Sequence, residues 1–133
     1  MRVMLDTNII ISAALFPRGR ASQAFIKALC PPFHPLVSDY VVDELHRKFR
    51  EKWPDKYVDL EAFLYNALSV IEVVPTPEIS VPDEKSIRDP KDRPILRAAL
   101  DAHADIIVTG YLDFLEASVT DPRIVSVAQF LEL

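Results

Sequence analysis

The sequence predicts an α/β fold in which helices cover both faces of a parallel sheet of four or five strands. Segments of strand and helix character alternate along the chain, and alternation of this kind builds a parallel sheet. The strand segments are short, continuous apolar runs, as expected for strands that are buried on both faces. At 133 residues, half of them hydrophobic, the chain has the length of one compact domain, which we place at residues 1–133.

The first third of the chain predicts one strand and two helices. Residues 2–6 form an apolar run suited to a buried strand. Asn8 to Leu15 has helical character and ends before Pro17, which breaks a helix. Ala21 to Leu29 places small and apolar side chains on one helical face and ends before a proline pair.

The middle of the chain predicts two further strands around two helices. Leu36 to Ser38 is a short strand, and Ser38 or Asp39 caps a helix that continues to about Lys52. A second helix opens at Asp55 and continues to about residue 68. It leads directly into a third strand at Val70 to Val74.

The last third predicts an exposed connection followed by two more strands. Pro75 to Asp89 is rich in proline and reads as an exposed connection. Asp92 to Ala102 is helical by its apolar spacing, and Asp105 to Thr109 is the clearest strand in the chain. The remaining elements are a short helix at 112–117, a strand at 124–127 and a helical C-terminus.

Composition excludes several classes of protein. A net charge of −5 argues against binding nucleic acid through bulk positive charge. No apolar run is long enough to cross a membrane, and no signal peptide is recognisable, so we expect a cytoplasmic protein without membrane contact. The lone Cys30 fits a reducing compartment, and we expect it to be buried as a small hydrophobic residue.

The sequence also lacks the motifs of several common binding sites and active sites. Gly19 and Gly110 are the only glycines, so neither a P-loop nor a dinucleotide-binding fingerprint can form. The three histidines lack zinc-peptidase spacing, and there is no Gly-x-Ser-x-Gly elbow.

Four acids fall where core elements begin or end, and they are the candidate site. Asp6 closes the first strand, and Asp113 follows the fourth; Glu44 and Asp92 lie in or before helices that reach the same edge. Carboxylates gathered in one place repel unless protons or a cation intervene. An all-oxygen set without histidine or thiolate suits Mg²⁺ or Mn²⁺.

Each acid also has an ordinary structural interpretation. Asp6 could cap the following helix, and Glu44 could pair with Lys48 one turn later. Asp92 is a good N-cap residue, with Asp89 as an alternative cap. Only the joint placement of the acids favours a site. Basic residues could line one edge of it or simply be solvated; they are Arg18, Arg20, Arg47, Lys48, Arg50 and Lys52.

Four segments carry a resemblance to a known family, in order and across essentially the whole chain. They are Leu5-Asp6-Thr7-Asn8, Val37 to Leu45, Asp89 to Leu96, and Ile107 to Leu115. These segments resemble the successive motifs of PIN-domain nucleases. The branch that the sequence most resembles is the toxin component of prokaryotic toxin–antitoxin systems, similar to VapC toxins.

The resemblance implies a three-layer α/β/α domain that hydrolyses RNA with Mg²⁺ or Mn²⁺ and leaves a 5′-phosphate. It implies that Asp6, Glu44 and Asp92 are metal ligands, and that Asn8 and Thr109 orient those carboxylates. It also implies a homodimer and an antitoxin partner whose segment covers the acidic cleft.

The sequence departs from the family pattern at one position. The family usually carries an acid directly after Thr-Gly, where this chain has Tyr111. Asp113, two residues later, matches the second acid of that motif and is the candidate fourth ligand. Tyr111 is either a neutral substitution at the rim of the site or the cause of a weakened second metal position.

Three functional hypotheses follow. The first is a metal-dependent endoribonuclease of the toxin type. The second, motivated by Tyr111 and the acidic net charge, is a PIN-fold module that binds RNA or protein with little catalysis. The third is a magnesium-dependent phosphatase, which the sequence favours least because Asn8 stands where such enzymes often carry a second aspartate.

Overall fold

The computed structural model describes residues 1–133 and contains one five-stranded sheet. The strand order is β3-β2-β1-β4-β5, and every neighbouring pair is parallel. The strands are β1 (Arg2–Leu5), β2 (His34–Ser38), β3 (Glu72–Val74), β4 (Ile106–Val108) and β5 (Arg123–Val125). The helices are α1 (Thr7–Leu15), α2 (Arg20–Ala28), α3 (Asp39–Lys52), α4 (Tyr57–Ala67), α5 (Arg93–Asp101), α6 (Leu112–Leu115) and α7 (Val127–Leu131).

The connectivity places helices on both faces of the sheet. From β1 the chain moves outward through β2 to β3, and it then returns to the other side of β1 to form β4 and β5. Because parallel crossovers are right-handed, two series that run in opposite directions lay their helices on opposite faces. The predicted three-layer α/β/α fold with a parallel sheet is confirmed.

The central strands form the interior of the domain. β1 from Val3 to Leu5 and all of β4 are at most 3% exposed. Such strands are covered on both faces, which explains why they read as continuous apolar runs rather than as alternating ones. Helices flank this interior, and none of them is both long and apolar enough to cross a membrane. Asp6, the first polar residue after β1, therefore directly follows a strand that is packed on both faces.

Most predicted element boundaries lie within about two residues of the observed ones. Between α4 and β3 the chain first makes a turn, in which the amides of Val70 and Ile71 both donate to the carbonyl of Ala67. β3 therefore begins at Glu72 rather than at Val70. Before α4, residues 54–56 form a separate 3₁₀ turn, so the helix expected from Asp55 begins at Tyr57.

Two expectations about burial were wrong. Cys30 is exposed, because it follows the end of α2 in the turn that leads to β2. The connection from Pro75 to Asp89 is not simply exposed, since it contains a 3₁₀ helix at Pro82–Ser86 and buries Glu84. The Arg97 guanidinium holds this segment by donating to both Glu84 oxygens, at 2.9 and 3.1 Å, and to the Pro77 carbonyl, at 2.9 Å.

Candidate metal centre

The site lies where the strand order reverses. β1 and β4 are neighbours, with Leu5 paired to Val108, although β1 leads to β2 on its other side. A crevice opens at the carboxyl ends of such a strand pair. Asp6 and Thr109 are the first residues beyond the two strands, and the Asp6 amide still donates to the Val108 carbonyl at 3.3 Å.

Asp6 is fully buried and hydrogen-bonded through both carboxylate oxygens. Its Oδ1 accepts from the Ile9 amide at 3.1 Å and so caps α1, as the ordinary interpretation expected. Its Oδ2 accepts a hydrogen bond from the Thr109 hydroxyl, which itself accepts from the Tyr111 amide at 3.0 Å. Capping therefore uses only one oxygen and leaves the carboxylate buried at the edge of the crevice.

Burial raises the pKa of Asp6 to about 7. The hydrogen bonds from Thr109 and Ile9 oppose this shift, whereas the charge of Asp92 adds to it. Burial removes the water that would otherwise solvate the ionised carboxylate. A cation bound at this position would stabilise that charged form in place of the lost hydration.

Asp92 is the second buried acid, and it has no ion-pair partner. It occupies the N-cap position of α5, as the ordinary interpretation expected, but its side chain makes no capping hydrogen bond. Burial, then the charges of Asp89, Glu44 and Asp113, raise the pKa of Asp92 to about 6, while Lys48 opposes the rise. The four acids thus act on one another electrostatically.

Asp89 supports the turn before α5 rather than capping the helix. Its Oδ1 accepts from the Lys91 amide at 3.0 Å. This short-range bond fixes the backbone that leads into Asp92, and the Asp89 charge still contributes to the raised pKa of Asp92.

Glu44 is buried on α3 and faces two basic side chains. Its Oε1 is 3.6 Å from Lys48 Nζ and its Oε2 is 3.7 Å from an Arg47 nitrogen. The ordinary interpretation, a pair with Lys48 across one helical turn, is therefore correct as a contact. It does not exclude a role in the site, because Glu44 is only 6% exposed and acts on Asp92.

Asp113 lies on α6 and is partly exposed. Its Oδ1 is 3.7 Å from a guanidinium nitrogen of Arg88, which also reaches Glu116 at 3.9 Å. Asp113 is the most peripheral of the four acids, although its charge still reaches Asp92.

Asn8 packs against the backbone that follows β4. Its Nδ2 would be 2.9 Å from a Cβ atom placed on Gly110, so a side chain at residue 110 would displace the amide. Gly110 thereby allows the α1 start and the β4 end to approach closely.

The four acids fall into two classes by their partners. Asp6 and Asp92 are buried without a cationic partner, whereas Glu44 and Asp113 each face basic side chains. In this arrangement no three His, Cys, Asp or Glu side chains form a ready group of metal ligands. The donor chemistry nevertheless fits a hard divalent cation, because the acids supply only oxygen and two of them lack compensating charge.

Three side chains next to the acids were not predicted as candidate ligands, and one of them, Lys48, was expected only as part of a basic edge of the site. Tyr40 donates to the Lys91 carbonyl at 2.9 Å, and burial, followed by the Glu44 charge, raises its pKa. Lys48 contacts Tyr111 as well as Glu44. The Thr7 hydroxyl is buried without a partner. Of these, only Lys48 was marked by the sequence, through its spacing from Glu44 and its place in the basic cluster.

Solved structures show the same architecture. One is a chain in the crystal structure of VapBC2 from Rickettsia felis bound to a DNA fragment from their promoter, with a TM-score of 0.70 at 18% identity. The match covers 95% of this chain and 98% of that chain. Another is a chain in the crystal structure of DNA-bound VapBC from Salmonella typhimurium, with a TM-score of 0.69, 19% identity, and coverage of 96% and 98%. At these identities the likeness establishes the fold.

A sequence model described as the PIN domain matches residues 2–112. The matched range contains Asp6, Glu44 and Asp92 and ends just before Asp113. Among curated proteins, a search finds no significant match. The family model spans well over half of the sequence, and the chain therefore belongs to the PIN domain family.

Proposed function

We propose that this protein is an endoribonuclease that hydrolyses RNA phosphodiester bonds with Mg²⁺ or Mn²⁺, and that it is the toxin of a toxin–antitoxin pair. The observation that carries the proposal is the pair of buried acids, Asp6 and Asp92, which lack a cationic partner at the switch point of the sheet. Membership of the PIN domain family supports it.

In this proposal Asp6 and Asp92 hold the divalent ion, and Glu44 and Asp113 complete its surroundings. When bound, such an ion activates water and stabilises charge that develops on a phosphoryl group. Thr109 keeps the Asp6 carboxylate in place through its hydrogen bond and is itself fixed by the Tyr111 amide. Asp6 is therefore presented in one orientation before any ligand arrives.

The chain also offers exposed cationic groups for an RNA backbone. Arg47 and Arg50 are exposed on α3, the helix that carries Glu44. The Arg50 guanidinium lies 5.1 Å from the ring centre of Tyr57 and donates to its hydroxyl at 2.9 Å. A local basic edge of this kind positions phosphates even in a protein of net charge −5.

The proposed toxin role rests on the fold and on the complexes in which proteins of similar fold were solved. Both similar structures are VapBC structures bound to DNA, and VapBC from Rickettsia felis was solved with a fragment of the promoter. By analogy we propose an antitoxin protein as partner, a homodimer and a cytoplasmic location for this chain.

The test is cleavage of a mixed RNA panel by the purified protein with Mn²⁺, Mg²⁺ or a chelator. We expect products with 5′-phosphates that depend on the metal, and a loss of at least about a hundredfold for Asp6→Asn or Asp92→Asn. Asp43→Asn is the matched control, because Asp43 is an exposed acid on the same helix as Glu44. Absence of cleavage with every metal, or full activity of Asp6→Asn, would contradict the proposal.

A second candidate is a PIN-fold module that binds RNA or protein with little catalysis. The observation in its favour is Tyr111, which places a phenol where the family usually has an acid. RNA or partner binding that is indifferent to the chelator, without cleavage, would support this candidate over the first.

A further inference from the structure

Lys48 is a cation built into the acidic site. Its Nζ lies 3.6 Å from Glu44 Oε1 and 3.5 Å from the Tyr111 hydroxyl, so it bridges α3 and the segment after β4. Its charge also reaches Asp92, where it opposes the rise in pKa caused by burial and neighbouring acids. One ammonium group therefore acts on two of the candidate ligands at once.

Lys48 differs from the other basic side chains that face these acids. Its side chain is 26% exposed, whereas those of Arg47 and Arg88 are 57% and 78% exposed. Water and salt screen an exposed charge much more than a partly buried one. Lys48 is thus the one fixed positive charge among the four acids, and the two arginines contribute weakly.

Tyr111 makes this position suitable for an ammonium rather than for a metal ion. It supplies a half-buried phenol, and the burial, followed by the charges of Asp6, Glu44 and Asp92, raises its pKa. A neutral phenol accepts a hydrogen bond from an ammonium but is a poor ligand for a hard divalent ion. Its amide is fixed to the Thr109 hydroxyl, which holds the phenol beside Lys48.

We propose that the Lys48 ammonium, seated between Glu44 and Tyr111, takes the place of a second cation, so that this site binds a single divalent ion beside Asp6 and Asp92. The inference deepens the proposed function and rests on it, because it concerns the same acidic cleft. Charge compensation that another site would obtain from a second ion comes here from the chain itself.

The test measures how many Mn²⁺ ions each chain binds, by titration calorimetry and by electron paramagnetic resonance of free Mn²⁺. We expect one ion for the wild-type protein and two for the double variant Lys48→Met with Tyr111→Asp, which removes the ammonium and supplies a carboxylate. Arg47→Met with Tyr111→Asp is the matched control, and we expect it to bind one ion. Two ions on the wild-type chain, or one on the Lys48 double variant, would overturn the inference.

The Mn²⁺ affinity of single variants gives an independent test of the inference. Lys48→Met removes one like charge from a partly buried cleft, so Mn²⁺ binding should tighten on the order of tenfold. Lys48→Arg keeps the charge and should bind Mn²⁺ as the wild type does, and Arg47→Met should change the affinity less than Lys48→Met. Equal affinities of the wild type and Lys48→Met would contradict the role of the ammonium. Circular dichroism checks that each variant is folded.

The two proposals can fail separately. If the wild-type chain cleaves RNA but binds two Mn²⁺ ions, the Lys48 inference is overturned and the proposed function stands. If no RNA is cleaved with any metal, the proposed function fails, and the number of bound Mn²⁺ ions still decides the inference.

Discussion

Replacing Asp6 with asparagine is expected to stabilise the metal-free protein at neutral and basic pH. The carboxyl group is completely buried, and burial raises its pKa from 3.8 to about 7. Asparagine has nearly the same shape but no charge. Its oxygen can accept from the Ile9 amide, and its NH₂ can donate to a free lone pair of the Thr109 hydroxyl.

The sign of the effect follows from proton binding. Between pH 4 and 7 the folded protein keeps the Asp6 proton, whereas the unfolded chain has released it. Unfolding therefore releases a proton, and the free energy of unfolding falls as the pH rises through this window. Above about pH 7 both states are ionised and the loss is complete.

The magnitude follows from the displacement of the pKa. A tenfold change in proton affinity is worth about 1.4 kcal/mol, so ionisation at about 7 instead of 3.8 corresponds to a loss of about 4 kcal/mol. About 3 kcal/mol of this loss falls between pH 5 and 8. Asp6→Asn should therefore be close to the wild type near pH 4 and more stable than it by up to about 4 kcal/mol at pH 8.

The assay is urea unfolding, followed by circular dichroism, at several pH values between 5 and 8 in the presence of a chelator. Asp43→Asn is the control, because Asp43 is exposed and its replacement should change stability by less than about 0.5 kcal/mol. The reasoning is refuted if the difference between Asp6→Asn and the wild type stays constant across this range.

A divalent ion should narrow the difference in stability between Asp6→Asn and the wild type at pH 8. Mn²⁺ at a hundred times its dissociation constant stabilises a protein that binds it only when folded by about 2.7 kcal/mol. We expect this gain at pH 8 for the wild type and little of it for Asp6→Asn. Equal stabilisation of the wild type and Asp6→Asn by Mn²⁺ would show that the ion binds away from Asp6.

Three further changes are predicted. Arg97→Met should lower the free energy of unfolding by about 3 kcal/mol in urea titrations, because it leaves the buried Glu84 carboxylate without its partner; adding Glu84→Gln should recover part of the loss. Thr7→Val should raise the free energy of unfolding, measured by thermal denaturation, by about 1 kcal/mol, because the buried hydroxyl has no hydrogen-bond partner. A fall in this free energy would show that the hydroxyl does have a partner. Gly110→Ala should displace the Asn8 amide and reduce RNA cleavage about tenfold while unfolding in urea changes little; unchanged cleavage would show that Asn8 has no positioning role.

The fold class was predictable because it depends on patterns that are local in the sequence. The apolar run at Ile106–Val108 and the apolar residues before Asp6 are strands that must be covered on both faces. The helix at Asp39–Lys52 was predicted with its end near Lys52 and with Ser38 or Asp39 as its cap, and Ser38 is the capping residue. Once a parallel sheet is accepted, the carboxyl ends of its central strands locate the crevice.

Burial and charge partners were not predictable in the same way. That Glu84 is buried depends on Arg97, which reaches back across 13 residues. The sequence marked Asp92 as a helix cap, but its carboxylate makes no cap bond, and only the packed structure brings other acids close enough to raise its pKa. Such properties depend on distances that strand and helix patterns do not contain.

By itself, the sequence determined the order of the strands and helices along the chain, the resemblance to PIN-domain nucleases and the identity of the four acids. Only the tertiary structure decided how these acids divide, with Asp6 and Asp92 lacking a cationic partner and Glu44 facing Lys48. It also decided that Lys48 meets Tyr111 across 63 residues of sequence. The physical reason is that local patterns specify secondary structure, whereas electrostatic compensation depends on which side chains the sheet brings within a few ångströms of one another.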